Sequence, residues 1–537
     1  MATSLTTLSV SVMTSFPRSF PHHYIGPSHD YITLAVPPMP GSRMTERTEA
    51  PRREREELGR GIRLRSLFSL AFGTIIGVGW IIVMGAWLSD AGAIGAIVAF
   101  AAGGLAMLAI GLCYAEMAAA YPVAGGEVAY VFEAWGARWS FFAAWFLAFT
   151  YIFTTSYEAI SVEWVVSALV PGFGGPVIYT LLGQEVRLWS LALGLAVMLV
   201  ITVINYRGGR TAAWFQDLMT AGLIILTAIF VFAGVTGGSV ANLEPMFTGA
   251  TPGAAFAGVA VVFATAAWWF AGFDTIPQAM EEVEEGSRLR LIPRVIGASI
   301  VFAMVFYLLV ILATAMSLPR PELLASELPA ASAIEAAFTS PLLGRVVLVA
   351  GLFGLITTWN AVFFASTRIV FAMARAHMIP RRLASVHKRH GSPAAAVIFV
   401  AVMGAVGTLF GRNAILVIVG AGSISAGLVF MVVVLGVLRL RRTKPGHARP
   451  YKVPGGRAFL YLTAVLAAGL VGAAAWGPFH AAEGLPAEWI VLGVWCVLGL
   501  VFYRAAAPLR KSVSDRELRW LVLSEDDSQA KGTEGGG

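Results

Sequence analysis

The chain has 537 residues, of which 57% are hydrophobic and only 13% charged, with 57 glycines and a mean hydropathy of +0.75. A soluble globular protein carries about twice that share of charge, so the composition excludes a soluble domain and points to a multi-spanning helical membrane protein. The net charge of +7 does not signal nucleic acid, because the basic residues fall between apolar runs and form no single stripe.

Residues 1–43 are rich in Ser, Thr, Pro and His and hold no apolar stretch long enough to span a bilayer. They lack the basic start, apolar core and small-residue cleavage site of a secretory signal. A disordered cytoplasmic tail is expected over 1–61. Met44 opens a charged stretch from Thr45 to Arg65, so Met44 is expected to be the natural start and 1–43 an artefact of gene assignment; N-terminal sequencing of natively expressed protein decides this. From Phe68 onward, about twelve apolar runs follow, at 68–88, 94–118, 139–168, 188–204, 212–235, 254–279, 295–318, 346–373, 394–410, 414–438, 458–477 and 488–503. Each is long enough to cross roughly 30 Å of hydrocarbon. Cys113 and Cys496 both lie within such runs and the histidines have no ligand spacing, so neither a disulfide framework, a metal nor a cofactor is expected.

Alternate connections, at 121–138, 206–213, 281–294, 375–392 and 439–457, hold eighteen lysines and arginines. The intervening ones hold only Arg187, Arg320, Arg345 and Arg412. This bias places the first set, and both termini, in the cytoplasm.

Two runs are interrupted. The first carries Gly73-Thr74-Ile75-Ile76-Gly77-Val78-Gly79-Trp80, and each glycine costs roughly 1 kcal/mol against alanine in a helix interior. Unwound backbone at membrane depth must line a protein-enclosed cavity; the alternative is that small residues let two helices pack closely. The sixth run carries Trp268-Trp269-Phe270-Ala271-Gly272-Phe273-Asp274-Thr275-Ile276-Pro277, where Gly272 and Pro277 disfavour one continuous helix. Breaks in the first and sixth runs are what a five-plus-five inverted repeat predicts. The expected fold is therefore an all-α membrane protein of about twelve transmembrane helices. Repeats lie at 62–236 and 251–440 within a transporter domain over 62–505, followed by two C-terminal helices at 456–505 and a cytoplasmic tail over 506–537.

Gly73 to Gly79, Tyr114-Ala115-Glu116-Met117, Tyr121-Pro122-Val123-Ala124-Gly125-Gly126-Glu127, Gly272-Phe273-Asp274, Glu281-Glu282-Val283, Ile292-Pro293-Arg294, Ser366-Thr367-Arg368 and Phe371-Ala372-Met373-Ala374-Arg375 occur in this order. The set resembles the amino acid permeases of the amino acid-polyamine-organocation (APC) superfamily, over residues 62–505. The resemblance implies a secondary active transporter of the cytoplasmic membrane whose small-molecule substrate is an amino acid. It implies that the backbone at Ile75, Ile76, Gly77, Val78 and Gly79 receives the carboxylate, by the positive end of a half-helix. Carbonyls near Ile75, Trp269, Phe270 and Ala271 then accept the amine, with Gly272 completing the surface. Trp268 lies six residues before Asp274, where related exchangers carry an aromatic gate; ordinary packing is the alternative. Trp80 stands where the family more often has an aliphatic residue or Phe, and is expected to narrow the pocket. By analogy the last two spans support a homodimer.

Proton-coupled relatives can place a lysine in the fifth span, where this chain aligns Leu223. Another titratable group, or plain substrate exchange, is then required. Intramembrane carboxylates are functional candidates by default, and Glu158 is the deeper of Glu158 and Glu163 in the third run. It is expected to act as a proton carrier or as the partner of a substrate ammonium, the alternative being an interfacial residue satisfied by water. Asp274 and Arg368 are expected to pair as an inner gate, and Glu281, Glu282, Glu284 and Glu285 to be a solvated helix end. Thr357, Thr358, Trp359 and Asn360 are expected to cap a helix contact more than to face the pocket. The alternative substrate is a small amine such as ethanolamine or a polyamine, with Glu158 as its ammonium partner. A channel lacks its filter or charge rings here, and an enzyme its nucleophile-base set or metal cluster.

Overall fold

The computed structural model describes residues 55–181, 184–284, 289–326, 328–412, 414–481 and 484–524. The Met44 start, Glu285 and the ends of both tails lie outside these. Among the described residues, ten helices are long and apolar enough to cross a membrane. Ala137–Leu169 is a further 33-residue helix diluted by Thr, Ser, Tyr and Glu, and Ala394–Thr408 is a shorter apolar helix of 15 residues. The fold is helical apart from an antiparallel hairpin of β1 (Val177–Leu181) and β2 (Gln184–Arg187) in the connection after the third run.

Small residues set how closely the helices approach. On Ala93–Ala120, the Met304 side chain fills the notch at Gly104 and the Ile300 side chain that at Gly111, so side chains of Ile292–Ser317 seat directly on the backbone of the second-run helix, where packing rather than hydrophobicity drives association. Both predicted breaks are present. The first run divides into Leu64–Ile75, Gly79–Ile82 and Met84–Ala91. The sixth divides into Pro252–Ala264, Ala266–Trp269 and Thr275–Ala279.

The breaks face each other. Gly272 sits at φ +140°, and a Cβ there would lie 2.8 Å from the backbone N of Ile75 and from Thr74, so both the conformation and the space require glycine. From the eighth run, Gly354 of Pro341–Arg375 meets the Gly77 carbonyl in the same way, at 2.9 Å. The long helices Ala137–Leu169 and Pro341–Arg375 flank a centre in which two segments of the chain unwind together.

The described end of the N-terminal tail, residues 55–61, is held in place where disorder was expected. Leu58 and Ile62 are buried, and the N–H groups of Gly61 and Ile62 donate to the Glu282 carbonyl at 2.8 and 2.9 Å while Glu284 N–H donates back to Ile62. This short parallel bridge pins residues 55–62 across the face that carries the basic connections. At the other end, Asp515–Leu523 is a helix capped by Ser514, and Arg519 reaches Glu133 at 2.9 Å.

Candidate functional site

Between the breaks lies a cavity of ≈ 40 Å³, room for water but not for an amino acid. Of the residues expected there, Ile75, Gly77, Val78, Gly79, Trp268, Trp269, Ala271 and Glu158 line it. Ile76, Phe270 and Gly272 lie behind it, and Asp274 and Arg368 are elsewhere.

The backbone is polarised as the two unwound segments dictate. The N–H groups of Gly77 and Val78 have no acceptor among the described residues, and the carbonyls of Phe270 and Ala271 have no donor. The carbonyls of Ile75 and Trp269, expected to be open to an amine, are instead occupied. Tyr307 of Ile292–Ser317 directs its hydroxyl at both, at 2.9 and 3.3 Å. One side chain therefore joins the two breaks. Thr358 does likewise for the first break, its hydroxyl lying 3.0 and 3.1 Å from the carbonyls of Gly73 and Thr74. It both caps a helix and lines the cavity, so the two expected roles coincide. Asn360 faces away, donating to Gln216 at 2.8 Å.

Glu158 is buried, and its Oε2 has no hydrogen-bond partner. A methyl group added at Gly77 would meet Glu158 Oε1 at 3.3 Å and Thr358 Oγ1 at 3.1 Å, which puts the carboxyl against the first break. The carboxyl is thus enclosed by the protein. Glu163, one turn further, is paired with Arg412 (Nε 3.2 Å) and accepts from Ser167 at 2.6 Å. It borders a vestibule of ≈ 760 Å³ beside the β hairpin, on the face opposite the basic connections.

The sequence reading missed the wall that Ala137–Leu169 supplies. Thr150, Tyr151, Thr154 and Tyr157 line the cavity with Glu158, at offsets 0, 1, 4, 7 and 8, a single helix face. The polar spacing was available as a signal. Trp268 lies over the cavity with its ring edge-on to Tyr157 (6.1 Å, 74°) and flat space at Gly422. Trp269 fills the volume over Gly79 and donates to Thr265 at 2.8 Å. Trp80 packs on Phe230 and Phe306 instead of narrowing the pocket.

On the basic face, Arg368 pairs with Glu282 and not with Asp274. The contact is bidentate at 2.7 and 3.0 Å, both side chains are fully buried, and the guanidinium stacks 3.5 Å over Phe364. Glu281 is gripped by Arg375 (2.8 and 3.0 Å) and Arg55 (3.0 Å). The acidic run expected to be solvated is thus buried in part: with Ile276 and Pro277 holding the broken helix inward, Glu281 and Glu282 face the eighth-run helix, and of the described members Glu284 reaches the surface. Asp274 accepts from the Gly272 N–H at 2.7 Å and so braces the second break itself.

A family model described as amino acid permease matches residues 62–502. The chain is 25% identical over 460 residues to the branched-chain amino acid permease BcaP of Bacillus subtilis (strain 168), covering 83% of this chain and 93% of that one. It is 23% identical over 453 residues to the methylthioribose transporter of the same organism, with the same coverage of each chain. To the Asc-type amino acid transporter 1 of Homo sapiens it is 28% identical over 410 residues, 74% of this chain and 75% of that one. With paired helix breaks enclosing a polarised cavity and a family match across the ordered chain, this protein belongs to the amino acid permease family of APC membrane transporters, and not to an enzyme family.

Proposed function

We propose that the chain is a secondary active transporter that moves amino acids across the cytoplasmic membrane by alternating access, proton-coupled or by exchange. The observation that carries this is the cavity's polarity: unpartnered N–H groups at Gly77 and Val78 suit a carboxylate, while the unpartnered carbonyl at Ala271 with the free Glu158 carboxyl suits an ammonium. A zwitterion satisfies both ends, whereas an amine leaves the donors idle. The relatives named for amino acids support the same substrate class.

In this reading twelve spans form a five-plus-five inverted repeat over 62–236 and 251–440, with the basic face and both termini in the cytoplasm. The Arg368–Glu282 and Arg375–Glu281–Arg55 contacts close that side, and they must part for substrate to leave inward. Trp268 moves to admit substrate from the vestibule. Glu158 holds the ammonium, since it borders the cavity at Gly77.

Proteoliposomes loaded with unlabelled L-leucine, L-serine or L-lysine test the reading by counterflow of the labelled compound. Saturable counterflow of at least one, weakened in Glu158→Gln, is expected. Exchange of ethanolamine or putrescine in place of all three would move the substrate class to amines, and non-saturable flux would identify a channel.

A further inference from the structure

Below the cavity, toward the basic face, a second polar group is sealed in the protein. Glu127 opens the helix Glu127–Trp135, and Asp274 stands at the second break. Both are fully buried. Each carboxyl has one oxygen engaged: Asp274 Oδ1 by the Gly272 N–H at 2.7 Å, and Glu127 Oε2 by Gln278 Nε2, which also approaches the Asp274 carbonyl at 3.4 Å. Their other oxygens, Oδ2 and Oε1, are buried without a partner.

Around them lie further buried atoms that lack partners, the hydroxyls of Tyr114, Tyr130 and Tyr151 and Oε1 of Gln278. Tyr151 lies beside Asp274, Tyr114 beside Glu127, and Tyr130 near enough to Glu127 to feel its charge. These come from the second run, the third run and the Glu127 helix itself. Among the described residues no ion pair reaches either carboxyl, and the neighbouring Arg368 and Glu282 are satisfied by each other. Burial, and then the charge on Asp274, push the Glu127 carboxyl well above the usual carboxylate range.

Two uncompensated carboxylates in such a site are costly, and two close acids that interact strongly titrate as a pair. One proton solves the problem. The pair then carries a single charge, which the phenol hydroxyls satisfy as donors, while the protonated carboxyl finds an acceptor in a phenol oxygen or in Gln278 Oε1. Phenols suit this because each both donates and accepts, so the network closes whichever acid holds the proton. Neither carboxyl lines the central cavity, so a proton held here does not compete with substrate for space.

The pair is mechanically tied to both ends of the machine. Asp274 braces the break that offers the Ala271 carbonyl, four residues upstream of Gln278. Gly126, next to Glu127, packs so tightly on Pro277 that no methyl group fits. The segment then runs within a few residues into Glu281 and Glu282, the carboxylates of the basic-face ion pairs. Loss of the proton leaves a second buried charge, which opening to water on that face relieves.

We propose that Asp274 and Glu127 hold one exchangeable proton between them, and that this pair couples transport to a proton gradient while Glu158 serves the substrate. The proposal rests on the transporter reading above. It is tested on the full chain in proteoliposomes with whichever of L-leucine, L-serine or L-lysine wild type exchanges. Asp274→Asn and Glu127→Gln are expected to keep counterflow but lose accumulation driven by an inward proton gradient, and to flatten the pH dependence of uptake. The double variant is expected to be no worse than either single one, and Glu127→Asp to regain accumulation. A pH dye inside the vesicles reports substrate-driven proton entry, present in wild type and lost in the variants. Variants that accumulate like wild type, or that lose counterflow and accumulation together, overturn the pair as the coupling site. So does wild-type accumulation that follows a sodium gradient instead, or counterflow with no accumulation at all. Absence of wild-type counterflow for all three compounds overturns the transporter reading and the pair with it.

Discussion

At the scale of single residues, the site is decided by atoms that have no partner. Glu158 is the clearest: on the proposed reading, replacing it with Gln removes a charge-assisted contact to a substrate ammonium worth ~1.5–3 kcal/mol, so KM for counterflow is expected to rise by about ten- to a hundredfold with the melting temperature little changed. Gly272→Ala acts on the backbone instead. Its φ of +140° and the 2.8 Å approach to Ile75 N leave no place for a methyl group, and loss of transport together with a lower melting temperature in detergent is expected. Glu281 gives a pH signature. Burial alone would raise its carboxyl, but Arg375, by charge and hydrogen bonds, and then Arg55 hold it at about 2. That lies below the ~4.3 of an exposed glutamate, so its stabilisation is in place above that value and is lost as pH falls from there through about 2. The stability gap between wild type and Glu281→Gln should stay constant from about pH 6 to 8 and close only in acid, read from melts across pH. The glycines at 73–79 and 272 were legible in the sequence because their cost in a helix is local. Tyr307 was not, because a tyrosine in an apolar run carries no mark of the two carbonyls it joins across 232 and 38 residues.

At the scale of elements, the question is how segments far apart in sequence are locked. The Arg368–Glu282 pair ties the eighth-run helix to the end of the broken sixth. Removing one partner leaves the other charge buried, and Glu282→Gln is expected to cost ~3–5 kcal/mol. Replacing both by methionine should recover most of it, so melts of the single and double variants separate a charge penalty from a packing one. The sequence placed Arg368 at an inner gate and chose Asp274 as its partner, since both sit toward one end of their spans. The choice failed because Gly272 turns the chain and hands Asp274 its own backbone N–H, while the following 3₁₀ turn Met280–Glu282 swings the next acids inward. Solvation of that acidic run was the natural expectation from composition, and only the fold could supply its arginines. The polar face of Ala137–Leu169 was readable from spacing alone. Its threonines and tyrosines carry no charge, so in an apolar run they stand out less than the two glutamates beside them.

At the scale of the whole molecule, the ten apolar helices that, among the described residues, are long enough to cross a membrane were legible as runs in the sequence, because a bilayer permits little else. What escaped was the covering of the basic face. Residues 55–62 are held by main-chain hydrogen bonds to Glu282 and Glu284, and Arg55 reaches both Glu281 and the Leu521 carbonyl of the C-terminal helix. Arg55→Ala is therefore expected to loosen both tails together, seen as faster amide hydrogen exchange in 55–62 and 515–523 than in the span cores. The ≈ 40 Å³ cavity carries one more consequence, for the speed of capture. A space smaller than its guest cannot be filled by collision alone, so on the proposed gate reading association waits on the fraction of molecules that have already swung Trp268 aside. The apparent dissociation constant is then the intrinsic one divided by that fraction, and a bulkier side chain draws on a rarer opening. Among substrates that make the same backbone contacts, differences in affinity should appear in the association rate, against the usual rule that they lie in dissociation.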